Sequence, residues 1–391
     1  MVSCDQRYAA IRGDQITIRT HIAIAIAVLV LSGCASSVPP ASRQVSPETD
    51  LPTATAPVST APAPTLPVSC SDIMPDSEQQ LLFGTAYTPA SASTVPDGPY
   101  SAALRNAGGI ACSWGNGLGL TDHIDPVRDL LQISLLPGTS AERWDEYASV
   151  YPQNTPEEGF GDGSGSRCDA DDTRRDCYSD ILVGDVWVQM HVVGVNVPDG
   201  ETGDAGITAF VRPIIERLVE RVAAASESAA PSPVEIVPST DCDTVLPLDA
   251  VRELLGITED GVARDVRDGE QGGGLSLPQD ARMRAGLTSC IVAPHSDSVW
   301  AQATVLPDGA WAFEPTAVTD GIWNGAELIV VDGAQASYVE CPPGGMQCTV
   351  DMAVGGSWVR VDLPVDSGTV VGAGERSEAL ALAALVAAKV D

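Results

Sequence analysis

Eight cysteines form two sets of four with matching spacing, and their thiols could form disulfides or bind metals. The sets are Cys70, Cys112, Cys168 and Cys177, then Cys242, Cys290, Cys341 and Cys348. No CxxC motif occurs, and no histidine lies near these cysteines at zinc-finger spacing. We therefore expect disulfides rather than metal ligation, as in other exported chains with paired cysteines. Within each set, we favour joining the first cysteine to the second and the third to the fourth.

Other patterns that could support chemistry are incomplete. The Asp-rich segment 168–177 could ligate calcium, but Arg174 stands where a calcium loop requires glycine. The segment 161–166 is similar to a serine-hydrolase elbow, yet no serine there has glycine at both flanking positions. Only three histidines follow the predicted cleavage point, so a metal triad or a general base is poorly supplied. We expect no catalytic residue, no metal and no cofactor; an envelope enzyme with an unrecognised site is the alternative.

Four tryptophans are candidates for either packing or binding. Trp187 and Trp358 each follow the fourth cysteine of a set by ten residues, within strand-like runs, so we expect both in the core. Trp311 and Trp323 lie in Gly- and Asp-rich surroundings and have no counterpart in the first set. Because exposed aromatic rings can stack on sugars or on a protein partner, these two are the candidate ligand contacts.

The first 33 residues have the order of a secretory signal. Arginines precede a short apolar run, Ile22–Leu31, which is followed by Leu31-Ser32-Gly33-Cys34. This tetrapeptide resembles the lipobox of bacterial lipoproteins, in which the cysteine receives a diacylglycerol and becomes the new N-terminus. The resemblance implies a protein anchored by lipid on Cys34 at the extracytoplasmic face of the cell membrane. The alternative is a plain secretory signal with a chance cysteine.

Composition limits the partners of the chain. The 391 residues carry 53 acidic and 21 basic side chains, a net charge of −32. Such a charge disfavours nucleic acid and anionic lipid surfaces, both of which need a basic footprint. Residues 34–68 are rich in Pro, Thr, Ser and Ala, which is typical of a semi-rigid tether. That tether would hold the folded part away from the membrane.

The remaining residues contain a duplication. Pro75–Gly84 aligns without gaps on Pro247–Gly256, and the cysteine and tryptophan landmarks recur in the same order. We predict a first repeat over 69–225, a linker over 226–240 and a second repeat over 241–391. Short strand-like runs and terminal apolar helices favour an α+β fold in each repeat. The expected domain has an antiparallel sheet, packed helices on one side and two disulfides.

These repeats resemble lipoprotein domains of actinobacteria that have no assigned function. The resemblance rests on the leading cysteine, a short helix ending in Leu-Leu-Gly, Cys112-Ser113-Trp114, and the late cysteine pair before a terminal helix. The repeats are also similar to the two-disulfide extracellular sensor domain of a mycobacterial serine/threonine kinase. The resemblance implies a binding or sensing module of the cell envelope, with a cell-wall component or an envelope protein as partner. A structural or assembly lipoprotein is the alternative.

Overall fold

The computed structural model describes most of the chain that follows the predicted tether. The described residues are 60–89, 91–94, 96, 98–115, 130–150, 159–170, 175–197, 203–229, 236–266, 276–294, 299–313, 326–342, 347–364 and 373–390. The predicted signal, Cys34, most of the tether and Trp323 lie outside these ranges. Within these ranges, no helix combines the length and hydrophobicity that crossing a bilayer requires.

The two repeats are called the first and the second copy below. The first copy is built on a five-stranded antiparallel sheet with the order β1-β2-β5-β4-β3. Its strands are β1 Ile110–Gly115, β2 Leu130–Leu136, β3 Gly163–Ala170, β4 Arg175–Val183 and β5 Val186–Val193. Its helices are α1 Cys70–Ile73, α2 Asp76–Phe83, α3 Pro99–Asn106, α4 Ala141–Val150 and α5 Asp204–Ser228. The part of the elbow-like segment from Gly163 to Ser166 belongs to β3.

The second copy has a seven-stranded antiparallel sheet with the order β6-β7-β8-β12-β11-β10-β9. Its strands are β6 Gly261–Asp265, β7 Thr288–Pro294, β8 Ala301–Leu306, β9 Glu327–Ile329, β10 Ala336–Glu340, β11 Gln347–Val354 and β12 Ser357–Pro364. Its helices are α6 Cys242–Val245, α7 Leu248–Leu255, α8 Leu277–Arg284 and α9 Ala373–Val390. The predicted α+β fold, with two antiparallel-sheet units and packed helices, is confirmed.

The five strands of the first sheet pair in the same register as five strands of the second sheet. Trp187 lies opposite Leu136 in the first sheet, and Trp358 lies opposite Leu306 in the second. The pairing of β4 with β5 matches that of β11 with β12, and β3 corresponds to β10. Where the five shared strands overlap, each residue therefore has an equivalent in the other copy.

Four disulfides fix these elements, and their pairing is the one that the sequence favours. Cys70 bonds to Cys112 and Cys242 to Cys290, which ties the leading helix of each copy to a strand. Cys168 bonds to Cys177 and Cys341 to Cys348, across neighbouring strands. Cys168 and Cys177 are direct partners in the register of β3 and β4, so the bridge closes that hairpin.

One face of each sheet packs against a long helix. Strand alternation directs Val186, Val188, Met190 and Val192 of β5 to the same side, where α5 covers them. In the second copy, α9 covers the corresponding face of its sheet. These inner faces form the two main cores, because they join apolar stripes of strand and helix away from water.

The opposite faces are also partly covered, so the expectation of helices on one side only is wrong. Ala102 and Ala103 of α3, in the first copy, pack with Trp358 on the second sheet. Leu277 and Ala281 of α8, in the second copy, pack with Trp187 on the first sheet. The helices α3 and α8 are equivalent by position, and each covers the sheet of the other copy.

Candidate functional site

The face of the first sheet that points away from α5 carries most of its polar side chains. We call this the first outer face and define it by Gln132, Ser134, Tyr178, Asp180, Gln189 and His191, on β2, β4 and β5. The alternation that sends Val188 and Met190 to the inner core sends Gln189 and His191 outward. The sequence predicts this division for β5, and the structure confirms it.

A buried carboxylate lies where the first outer face meets its apolar end. Only 8% of Asp180 is exposed. Tyr147 of α4 donates to Oδ2 at 2.7 Å, while Trp187 Nε1 and Gln189 Nε2 donate to Oδ1 at 3.1 Å each. Burial raises the pKa of Asp180 above its ordinary value, against the effect of these three donors. The carboxylate is held by neutral donors alone.

Asp351 is the equivalent carboxylate of the second copy, and it is compensated differently. Trp358 Nε1 donates to Oδ1 at 2.8 Å, which repeats the contact between Trp187 and Asp180. Arg360 donates to both carboxylate oxygens, at 2.9 and 3.1 Å. Arg360 occupies the register position of Gln189, so the second copy has an ion pair where the first has an amide.

Sequence reasoning did not identify this pair of carboxylates. Asp180 and Asp351 each follow the fourth cysteine of their set by three residues. The recurrence stands beside the tryptophan landmark and could have been found in the same comparison. Two aspartates at equivalent strand positions would have predicted a common buried contact with the indole nitrogen.

The other end of the first outer face is more open. The ring of Tyr178 stacks on His191, with ring centroids 3.8 Å apart and planes inclined by 15°. Tyr178 remains 43% exposed. Gln132 lies opposite His191 on the neighbouring strand, and Arg167 lies opposite Tyr178. The result is a flat aromatic surface beside an amide and a guanidinium.

The corresponding region of the second sheet is acidic. Thr349 and Asp362 replace Tyr178 and His191, and Glu340 replaces Arg167. Thr349 donates to Asp362 Oδ1 at 2.7 Å. Burial raises the pKa values of both Asp362 and Glu340. Of the residues that the structure covers, none form a cluster of three or more carboxylate, thiol or imidazole groups suited to a metal ion.

Of the two candidate ligand contacts from the sequence analysis, the structure describes Trp311. Trp311 is half-buried against the apolar part of the second sheet, and its Nε1 donates to Asn106 Oδ1 at 2.8 Å. Its indole therefore contacts α3 of the first copy. Trp323 and Cys34 lie outside the described residues, as do positions 171–174 of the Asp-rich segment.

Comparisons with known proteins give no family for this chain. No protein-family model matches the sequence, and no curated protein matches it. Among solved structures, the chain is similar to DynU16, from the dynemicin biosynthetic locus, at 12% identity over 82% of this chain and 92% of that one. The TM-score is 0.13, a value that carries no argument about fold or function. The resemblance to envelope lipoprotein domains stays a prediction.

Proposed function

We propose that this chain is a lipid-anchored, extracytoplasmic module that binds a ligand or a partner of the cell envelope. The observation that carries the proposal is the set of four disulfides, two in each sheet unit. Disulfides persist in oxidising compartments and are rare in the cytosol, which supports export. The lipobox at Leu31–Cys34 supplies the anchor. The disulfides and the lipobox therefore both favour an exported protein.

A binding role fits the way that the sheets are built. Each outer face is held by paired strands, a cross-strand disulfide and a second layer of helices. Such a scaffold keeps side chains at fixed distances, which lowers the ordering cost of binding. The first outer face also retains polar and aromatic groups that are not part of either apolar core.

Metabolic labelling with radioactive palmitate, in a host that processes bacterial lipoproteins, tests the anchor. We expect label in the wild-type chain and in Cys4→Ala, which removes a cysteine that precedes the predicted cleavage point. Cys34→Ala should lose the label and appear in the soluble fraction. A wild-type chain without label, or a labelled Cys34→Ala variant, would refute lipid anchoring.

A further inference from the structure

We infer that the first outer face binds an uncharged, hydroxyl-rich ligand of the saccharide class. The inference rests on the proposed binding function and names its site and ligand class. Its basis is a comparison of equivalent positions in the two copies. In the second copy, polar side chains of the sheet contact a tyrosine hydroxyl from the first copy. In the first copy, the equivalent side chains have no such hydroxyl.

The occupied version is on the second sheet. Tyr100 of α3 extends from the first copy, and its hydroxyl lies 2.6 Å from Ser289 Oγ and 3.2 Å from Thr304 Oγ1. Gln302 Nε2 donates to the same hydroxyl at 3.0 Å. The guanidinium of Arg282 lies 4.2 Å from the centre of the Tyr100 ring and covers it. A hydroxyl on a flat ring is therefore bound by three polar side chains of the sheet.

The first sheet has two of these three groups without that hydroxyl, because Ala111 occupies the register position of Ser289. By register, Ser134 corresponds to Thr304 and Gln132 to Gln302. Tyr100 follows Pro99 in α3, and Gln279 follows Pro278 in α8, so the equivalent helix supplies no phenol. Both Ser134 and Gln132 are half-buried, and no hydrogen bond to either side chain exists within the described ranges. These two groups are thus available to a ligand that brings its own hydroxyls.

The neighbouring groups define the ligand class. The Tyr178 ring, stacked on His191 and partly exposed, offers an aromatic surface for the C–H face of a sugar ring. Gln132 lies next to this surface and could donate to and accept from sugar hydroxyls.

The two carboxylates of β4 that share this face, Asp176 and Asp180, are buried. Arg167 is paired with Asp169 at 2.9 Å, and Asp180 is buried among three donors. In a chain of net charge −32, such a neutral polar surface fits an uncharged ligand. A cationic ligand would instead favour the acidic second sheet.

Isothermal titration calorimetry tests the site, with the full mature chain in detergent micelles and a panel of neutral oligosaccharides. The panel contains tetramers of N-acetylglucosamine, glucose, mannose and galactose. We expect at least one to bind, and we expect Tyr178→Ala and Gln132→Ala each to weaken binding about tenfold. The matched controls are Thr349→Ala and Gln302→Ala, at the equivalent positions of the second sheet, and both should bind as the wild type does. Thermal unfolding of every variant establishes that the fold is intact.

Three results would overturn the inference. Equal binding by the wild type and both first-face variants would place the ligand elsewhere, while the binding function itself would stand. No binding of any panel member by a folded wild-type chain would refute the saccharide class. Loss of binding in the controls alone would assign the site to the second sheet. Palmitate labelling is independent of all three, so failure of the anchor and failure of this site are distinguishable.

Discussion

At the scale of single residues, Asp180 and Asp351 show how a duplicated position changes its chemistry. Both accept a hydrogen bond from the tryptophan that follows them by seven residues. Arg360 neutralises Asp351, whereas Gln189 leaves the charge of Asp180 uncompensated. A buried charge without a counter-charge is costly, and the raised pKa of Asp180 reflects that cost.

Replacing each aspartate with asparagine should therefore have unequal effects. Asp351→Asn breaks the two-pronged ion pair with Arg360 and should lower the free energy of unfolding by about 2 kcal/mol. Asp180→Asn keeps acceptors for Trp187 and Gln189 and removes a costly charge, so we expect little loss or a gain. Urea denaturation at pH 7 measures both. Equal losses in the two variants would contradict this account.

The pH dependence of stability provides the control for the same comparison. Burial raises the folded-state pKa of Asp180 above its ordinary value of 3.8, so the folded state holds a proton more tightly than the unfolded state. The stabilisation from that proton is full below the unfolded pKa and is lost as the pH rises through the folded pKa. Stability should therefore increase as the pH falls from neutral towards 4, and Asp180→Asn should reduce this increase. An unchanged slope in the variant would show that other carboxylates cause it.

At the scale of elements, the four disulfides close loops of different length. Cys70 and Cys112 are 42 residues apart, and Cys168 and Cys177 are 9 apart. Both bridges restrict the unfolded chain, and a longer closed loop restricts it more. The two bridges of the first copy should therefore differ in their contribution.

Removing these bridges one at a time tests the difference. Replacing Cys70 and Cys112 with alanine should cost about 4 kcal/mol of unfolding free energy, and replacing Cys168 and Cys177 should cost about 2.5–3 kcal/mol. Chemical denaturation under non-reducing conditions measures both double variants. A larger loss for the short hairpin bridge would mean that its contribution is not chiefly loop closure.

How well the sequence predicted an element depended on where its stabilising contacts come from. The helices α2, α5, α7 and α9 carry apolar residues at helical spacing or sit between Pro and Gly, and all four were predicted. The helices α3 and α8 are short, contain small or charged side chains, and pack on the sheet of the other copy. Their own sequence does not indicate this contact, because the sheet residues that they pack against are distant in the chain.

The same reasoning applies to the candidate site. The cysteine pairing followed from spacing, and the outward position of His191 followed from strand alternation. The role of Tyr100 could not be predicted, since its hydroxyl meets Ser289 and Thr304 only through the packing of the two copies. Trp311 was a candidate ligand contact but is half-buried, whereas Tyr178, which the sequence did not single out, is 43% exposed.

At the scale of the whole molecule, the exchange of α3 and α8 links the two copies. The described residues of both copies belong to one compact unit. Arg143 of α4 pairs with Asp280 of α8 at 2.8 Å, which adds an ion pair to the apolar contact between Ala281 and Trp187. Unfolding of one copy would expose the outer face of the other. We therefore expect a single cooperative transition.

A substitution in α8 should consequently disturb the first sheet. Ala281→Glu places an unpaired charge in the cluster around Trp187 and should cost about 3 kcal/mol. Hydrogen exchange of β5 and α4 should accelerate, although residue 281 belongs to the second repeat. Ala281→Ser is the mild control. Faster exchange confined to the second repeat would show that the copies are not coupled in this way.

The exchange of α3 and α8 also bears on ancestry. In a protein with a single copy of this fold, the tryptophan on the outer face of the sheet could be covered in this way only by a second molecule. Tandem fusion makes such pairing independent of concentration, because both partners are on one chain. It also frees the two halves to differ, since a symmetric dimer must change both faces at once. The tyrosine present over one face and absent from the other is an asymmetry that a symmetric homodimer cannot acquire.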